Sequence, residues 1–144
     1  EITAISSEGK SIGRHDGLMF YTRGQRKGLN IGGIKQADEK PWYVSNKDIP
    51  NNHLIVVQGH DHPSLLQSQL QCNKIHWIGR PPQTTTFQCQ AKTRYRQNDQ
   101  ACEVTLQTTS TANVHFDAPQ WAVTPGQSVV FYDDNTCLGG GIIL

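Results

Sequence analysis

The sequence predicts an all-β protein, and three observations support that fold class. Residues 85–96 alternate between two faces, with Phe87, Cys89, Ala91, Thr93 and Tyr95 on one and Gln88, Gln90, Lys92, Arg94 and Arg96 on the other. A period of two is typical of a half-buried strand. Further short apolar runs are separated by turn residues, and the 144 residues include 13 Gly and 7 Pro, which interrupt helices. Short strands spaced by turns favour a small closed barrel or a sandwich.

The N-terminal region is predicted to form short strands joined by loops. The stretches 2–5 and 11–14 are strand-like and flank Ser-Ser-Glu-Gly-Lys, which is a hairpin signal. Residues 15–22 are predicted to form two helical turns. Four glycines, at positions 24, 28, 32 and 33, then break the chain into a loop. The stretches 42–46 and 54–58 are strand-like again.

A cluster of helix and strand breakers, Gly59-His60-Asp61-His62-Pro63, predicts a domain boundary. It divides the chain into a small β-rich domain over residues 1–63 and a second β domain over residues 64–144. In the second domain, apolar runs predict further strands at 102–106, 114–116, 128–132 and 137–143.

The charge is small in total but unevenly distributed. The formal net charge is +1, yet residues 63–96 hold five basic residues and no acid, and residues 10–35 hold six basic residues against Asp16 alone. Two basic patches indicate an anionic partner, with a solvated charged surface as the alternative. No apolar run approaches the ~18 residues of a membrane helix, so the sequence predicts that no segment spans a membrane.

The four cysteines, Cys72, Cys89, Cys102 and Cys137, form no Cys-x-x-Cys motif, which argues against a zinc knuckle or a dithiol site. A hairpin centred near Asn98 and Asp99 would place Cys89 opposite Thr108, so no disulfide between Cys89 and Cys102 is expected. Reduced thiols are typical of a cytoplasmic protein.

The strongest candidate binding feature is the row Lys92, Arg94 and Arg96 on one strand face. Side chains on one face are spaced by about 6.5–7 Å, which suits a chain of phosphates, and Tyr95 offers a stacking surface. In a regular strand, however, Arg94 and Tyr95 point to opposite faces. Both can contact one ligand only at a strand end or a bulge. The alternative is a solvated basic strand with a core tyrosine.

Two other segments carry candidate chemistry. Gly24-Gln25-Arg26-Lys27-Gly28, the glycine loop, could cradle a phosphate, although it lacks the Gly-Lys-Ser/Thr ending of a P-loop; the alternative is a plain flexible loop. His60 and His62 could bind a metal, but no third ligand is evident, so a capped turn is favoured and no metal site is assigned. The sequence contains neither a Gly-x-Ser-x-Gly elbow nor paired carboxylates, so these two signatures of catalysis are absent.

Taken in order, six motifs resemble those of one family. They cover residues 13–18, 21–29, 57–63, 92–97, 123–128 and 137–143. Together they resemble the C-terminal portion of the tRNA-specific 2-thiouridylases, the MnmA/TrmU family, over essentially all of the chain. The resemblance implies a small central β-roll-like domain followed by a C-terminal six-stranded β-barrel similar to the second domain of elongation factor Tu.

The resemblance also implies a division of labour. Members of the family make 2-thiouridine at the tRNA wobble position. An N-terminal PP-loop domain uses ATP, with Mg, to adenylate the uridine, and a catalytic cysteine delivers sulfur from a persulfide supplied by a sulfur-relay protein. This sequence contains no Ser-Gly-Gly-x-Asp-Ser motif and no cysteine in the catalytic context. We therefore expect no catalytic residue and no cofactor in this chain, and no activity from it alone.

For binding, the resemblance points to specific residues. The family's Arg-Tyr pair that contacts tRNA falls on Arg94 and Tyr95, and its tRNA-contacting Gln falls on Gln127. Further phosphate contacts are expected from Lys92, Arg96, Arg26 and Lys27. Two rival hypotheses remain open: a stand-alone β-barrel that binds protein partners, and a metal-dependent enzyme that uses His60 and His62.

Overall fold

The computed structural model describes residues 2–4, 9–31 and 39–144, and the chain divides into two compact units, Glu1–Leu66 and Gln67–Leu144. The boundary expected from the sequence, between residues 63 and 64, falls in the short 3-10 turn Pro63–Leu65. Over the part of the chain that the structure describes, no helix has the length and apolarity that a membrane span requires.

The first unit contains a four-stranded sheet in the order β2-β1-β4-β3. Its strands are β1 (Ile2–Ala4), β2 (Ser11–Gly13), β3 (Trp42–Asp48) and β4 (His53–Gln58). β1 is parallel to β4, whereas the β1–β2 and β3–β4 pairs are antiparallel. The strands expected in this region are confirmed. Residue 5, most of the hairpin loop expected after it and the glycines at 32 and 33 lie outside the described residues.

The prediction of two helical turns over residues 15–22 is wrong. The structure has one 3-10 turn, Leu18–Phe20, with no side-chain cap. Gly17 precedes it at φ 131°, a backbone conformation that other residues rarely adopt, and Tyr21 follows it in an extended conformation. Tyr21 is buried in the core of the unit. The helix cannot continue because the chain extends to place this ring in the core.

The second unit is a closed barrel of six strands in the order β10-β5-β8-β7-β6-β9. The strands are β5 (Leu66–Trp77), β6 (Thr86–Lys92), β7 (Gln100–Leu106), β8 (Ala112–Trp121), β9 (Ser128–Asp133) and β10 (Thr136–Ile143). Val104, Val129 and Phe131 are among the fully buried residues of its core. The all-β class and the six-stranded barrel are thus confirmed, and the sandwich is not.

The longest strand, β5, was not predicted. Its inward residues Leu70 and Cys72 follow the expected alternation, but the next buried residue is Ile75, three positions later. Lys74 lies between them at φ 50°, and the pairing with β10 shifts register opposite this point. A β-bulge therefore breaks the period of two that would have identified the strand.

The register predicted for the hairpin between β6 and β7 is also wrong. Cys89 lies opposite Cys102, not Thr108, which centres the hairpin near Tyr95 and Arg96. The two sulfur atoms are 3.8 Å apart and hydrogen-bonded, and all four cysteines are free thiols. β6 ends at Lys92, four residues earlier than predicted.

The glycines of β10 allow the barrel to close. A Cβ atom placed on Gly141 would lie 2.7 Å from the carbonyl oxygen of Asn73 and 3.0 Å from Cγ1 of Ile75, both on β5. The 2.7 Å contact with backbone is shorter than real Cβ atoms essentially ever show, and the 3.0 Å contact is tight. Glycine at this position therefore permits the two strands to approach each other.

Candidate nucleic-acid interface

An open groove of about 430 Å³ lies on the barrel beside the end of β6. One wall is formed by residues 92–95 and the other by β9 and the residue before it; the lining residues are Lys92, Thr93, Arg94, Tyr95, Gln127, Ser128, Val130 and Tyr132. The two walls meet because β6 and β9 pair antiparallel, with Lys92 opposite Val130. The structure thus brings together Lys92, Arg94, Tyr95 and Gln127, which the sequence singled out from two distant segments.

A tight turn resolves the geometric conflict between Arg94 and Tyr95. β6 ends at Lys92, and the backbone N–H of Gln97 donates to the carbonyl oxygen of Arg94 at 3.3 Å. Residues 93–97 therefore leave the sheet, and the strict alternation of faces no longer applies there. Together with Lys92 they form residues 92–97, the basic turn. Tyr95 is 94% exposed, so the alternative of a core tyrosine is wrong.

Arg94 is held by an aromatic contact. Its guanidinium carbon lies 4.4 Å from the centre of the Trp121 ring, close enough for a cation–π interaction. The residue as a whole is exposed, but partial burial of the guanidinium lowers the pKa of Arg94 from its ordinary value. An arginine nevertheless stays protonated in proteins. The result is a fixed positive charge at the edge of the groove.

Lys92 is held from two sides. Its Nζ atom lies 3.3 Å from Oδ1 of Asp99 and 5.2 Å from the centre of the Tyr132 ring. The two charged side chains are each about one-third exposed, so solvent screens their attraction. Asp99 therefore offsets part of the charge that Lys92 presents to an anion.

Gln127 enters the groove from the turn between β8 and β9. Gly126 adopts φ 87°, and its N–H donates to the carbonyl oxygen of Ile143 at 2.8 Å. The N–H of Ile143 in turn donates to the carbonyl oxygen of Gln127 at 2.8 Å. This turn at Pro125 and Gly126 fixes the Gln127 backbone while the residue stays exposed.

The other candidates lie elsewhere. Arg96 is exposed in the basic turn but is not among the residues that line the groove. Arg26 and Lys27 are exposed on the glycine loop of the first unit. That loop is fastened to β3: the N–H of Gly24 donates to Val44 at 2.7 Å, and the N–H of Val44 donates to Gln25 at 2.9 Å.

The His60–His62 segment forms a capped turn. Nδ1 of His62 accepts a hydrogen bond from the backbone N–H of Ser64 at 3.2 Å and lies 2.8 Å from its hydroxyl. The ring of His60 instead packs edge-on against Tyr43. Among the residues that the structure describes, no group of three or more His, Cys, Asp or Glu side chains is arranged to hold a metal ion.

Sequence reasoning missed Trp121, Tyr132 and Ser128. For the last two a signal was present: Val129 and Phe131 are buried in β9, so their neighbours necessarily face outward. Trp121 carried no such signal, because its contact with Arg94 joins the end of β8 to the basic turn.

Comparisons with known proteins identify the family. The model of the aminomethyltransferase beta-barrel domain matches residues 67–143, and the model of the tRNA methyl transferase PRC-barrel domain matches residues 1–58. The tRNA-specific 2-thiouridylases MnmA of Francisella tularensis subsp. novicida (strain U112) and subsp. tularensis (strain SCHU S4 / Schu 4) are each 55% identical over 136 residues. Those residues are 94% of this chain but 38% of each relative. The chain belongs to the family of the tRNA-specific 2-thiouridylase MnmA.

Proposed function

We propose that this chain is the tRNA-holding part of a tRNA-uridine 2-sulfurtransferase that makes 2-thiouridine at the wobble position. The observation that carries the proposal is Tyr95, an almost fully exposed aromatic residue that lines the same groove as Lys92 and Arg94. An exposed ring beside fixed cations matches the needs of RNA, which offers phosphates and the flat faces of unpaired bases.

Each side chain of the groove has a distinct role in this proposal. Arg94 and Lys92 neutralise phosphates, which fixes the position of the RNA without reading its sequence. Tyr95 stacks on a base or packs against a ribose. The amide of Gln127 can both donate and accept a hydrogen bond. Arg96, Arg26 and Lys27 are exposed and add longer-range attraction.

The chemistry is assigned to the rest of the parent protein. We place ATP, with Mg, and the adenylation of uridine in a PP-loop domain, and we assign the sulfur to a persulfide donor of the cytoplasmic sulfur relay. One thiol of this chain, that of Cys72, supports that division. Cys72 is buried, and burial raises the pKa of its thiol to about 11, so little thiolate exists at neutral pH. The chain alone is therefore expected to bind tRNA without modifying it.

The direct test measures binding of an unmodified tRNA transcript to the chain and to two arginine variants. Arg94→Ala removes one charge-assisted contact and is expected to weaken binding about tenfold or more. Arg80→Ala removes an exposed arginine of the same unit that does not line this groove, so it serves as the matched control. Equal affinities of the two variants would contradict the assignment of the groove. Binding to a protein partner with none to tRNA would favour the stand-alone interaction module instead.

A further inference from the structure

A hydrogen-bonded chain of glutamines lies behind the basic turn. Oε1 of Gln97 accepts from the backbone N–H of Thr93 at 3.0 Å and from its hydroxyl at 3.2 Å. Nε2 of Gln97 donates to Oε1 of Gln120. Gln97 therefore ties the first residue after β6 to a residue near the end of β8.

Gln120 is the buried anchor of this chain. Its residue is only 3% exposed, and it lies near the end of β8 rather than in the turn. Its Nε2 donates to the carbonyl oxygen of Ala118 at 2.8 Å and to Oε1 of Gln100 at 3.4 Å. Gln100, the first residue of β7, donates in turn to the carbonyl oxygen of Asn98 at 3.1 Å. Both ends of the connection between β6 and β7 are thus fastened to one amide.

This arrangement explains where the strand stops. The N–H of Thr93 would otherwise continue the ladder of β6, but it is engaged by a side chain of the turn. Arg94 and Tyr95 follow at once, so their directions depend on that hydrogen bond. A buried polar group must keep its partners, because an unsatisfied one costs more than the bond contributes. The glutamine chain therefore favours this conformation of the turn.

We infer that Gln120 is a positioning residue for RNA binding: acting through Gln97, it holds the basic turn so that Arg94 and Tyr95 face the same ligand. The inference rests on the proposed tRNA-binding function and extends it to a residue that does not line the groove. Preorganisation of this kind increases affinity because fewer backbone and side-chain bonds must lose rotational freedom on binding.

The test combines hydrogen exchange with a double-mutant cycle. Gln120→Met keeps the length of the side chain but removes its amide. We expect faster exchange of the Thr93 N–H and about fivefold or more weaker binding of an unmodified tRNA transcript. In an Arg94→Ala/Tyr95→Ala background, the same substitution should cause no further loss. Gln97→Met, in the less buried turn residue, serves as a second variant in case Gln120→Met does not fold.

Gln90→Met is the matched control. Oε1 of Gln90 accepts from the backbone N–H of Asp134 at 3.1 Å, so this glutamine also holds a turn, but the one between β9 and β10. The control should leave tRNA affinity within about twofold of the unsubstituted chain, because it changes no contact of the basic turn.

The outcomes separate the inference from the proposed function. Unchanged exchange at Thr93, or equal loss of affinity from Gln120→Met in both backgrounds, would overturn the positioning role alone. Unchanged affinity in Arg94→Ala/Tyr95→Ala would overturn the proposed function, and the positioning role with it.

Discussion

The glycine loop of the first unit and the basic turn of the second both present cations, but they hold them differently. In the glycine loop, hydrogen bonds to Val44 fix the backbone, while Arg26 and Lys27 are exposed. In the basic turn, aromatic rings contact the cations themselves: Arg94 lies on Trp121 and Lys92 beside Tyr132. A cation that is already ordered loses less side-chain entropy on binding. We therefore expect the basic turn to dominate affinity and the glycine loop to add attraction over distance.

The largest effect is expected from a substitution that disturbs the barrel on which the basic turn lies. Gly141→Ala would place a methyl group 2.7 Å from the Asn73 carbonyl oxygen, and overpacking of this kind costs about 1–3 kcal/mol. Because the clash is with backbone, we expect the upper part of that range and a lower Tm by several degrees. Thermal unfolding followed by circular dichroism measures it, and an unchanged Tm would contradict the close approach of β10 to β5.

Tyr95→Ala tests the stacking surface. Loss of one stacked base typically costs about 1–3 kcal/mol of binding free energy. Because Tyr95 is 94% exposed, the free energy of unfolding should hardly change. Tyr95→Phe keeps the ring and should retain most of the affinity. If Tyr95→Ala binds tRNA as well as the unsubstituted chain does, the ring has no part in recognition.

Trp121→Leu tests whether the aromatic contact matters for Arg94. The substitution leaves the arginine in place but removes the cation–π interaction, which contributes about 0.5–1 kcal/mol at an exposed site. We expect a comparable loss of tRNA affinity. In an Arg94→Ala background this loss should disappear, and its persistence there would show that Trp121 acts in some other way.

A double substitution in the glycine loop tests whether that loop contributes only long-range attraction. Arg26→Ala with Lys27→Ala should weaken tRNA binding at low salt and have little effect at physiological salt, because exposed charges are screened beyond a Debye length of about 8 Å. Titrations at the two salt concentrations measure this. A loss as large as that of Arg94→Ala, and equally large at high salt, would show that the loop binds RNA directly.

The smallest expected effect is a gain in tRNA affinity. Asp99→Asn removes the carboxylate that lies 3.3 Å from Nζ of Lys92. Exposed ion pairs contribute about 0–1 kcal/mol, so the change in stability should be slight. The released Lys92 should bind phosphate slightly better, by about twofold. Weaker binding by Asp99→Asn would mean that the carboxylate serves to orient Lys92 rather than to neutralise it.

The strands that the sequence predicted carry an apolar signal that can be read locally, although the pairings of β10 with β9 and of β3 with β4 also shift register. The alternation of β6 and the apolar residues of β9 and β10 depend only on which face is buried. β5 was missed because the bulge at Lys74 shifts its pattern by one residue. The end of β6 was misplaced for another reason. The N–H of Thr93 donates to the side-chain amide oxygen of Gln97, and a hydrogen bond of this kind does not appear in the alternation of apolar and polar residues.

The same distinction between local patterns and other contacts applies to the residues of the candidate site. Arg94 and Tyr95 could be identified because they adjoin a turn signal and match a family motif. That Gln127 lies in the same groove depends on the pairing of β6 with β9, a contact between segments distant in sequence. Trp121 and Gln120 are further examples, since both reach the basic turn from β8. Non-local contacts of this kind leave no pattern in the local sequence.

The central claim is that the basic turn binds tRNA phosphates, and a salt series tests it most directly. We would measure the affinity of an unmodified tRNA transcript for the chain and for Arg94→Ala over a range of salt concentrations. Each phosphate contact contributes about 0.7–0.9 to the slope of log K against log salt concentration. We predict a steep slope that Arg94→Ala reduces by about one. A slope near zero, or an identical slope for the variant, would contradict the account.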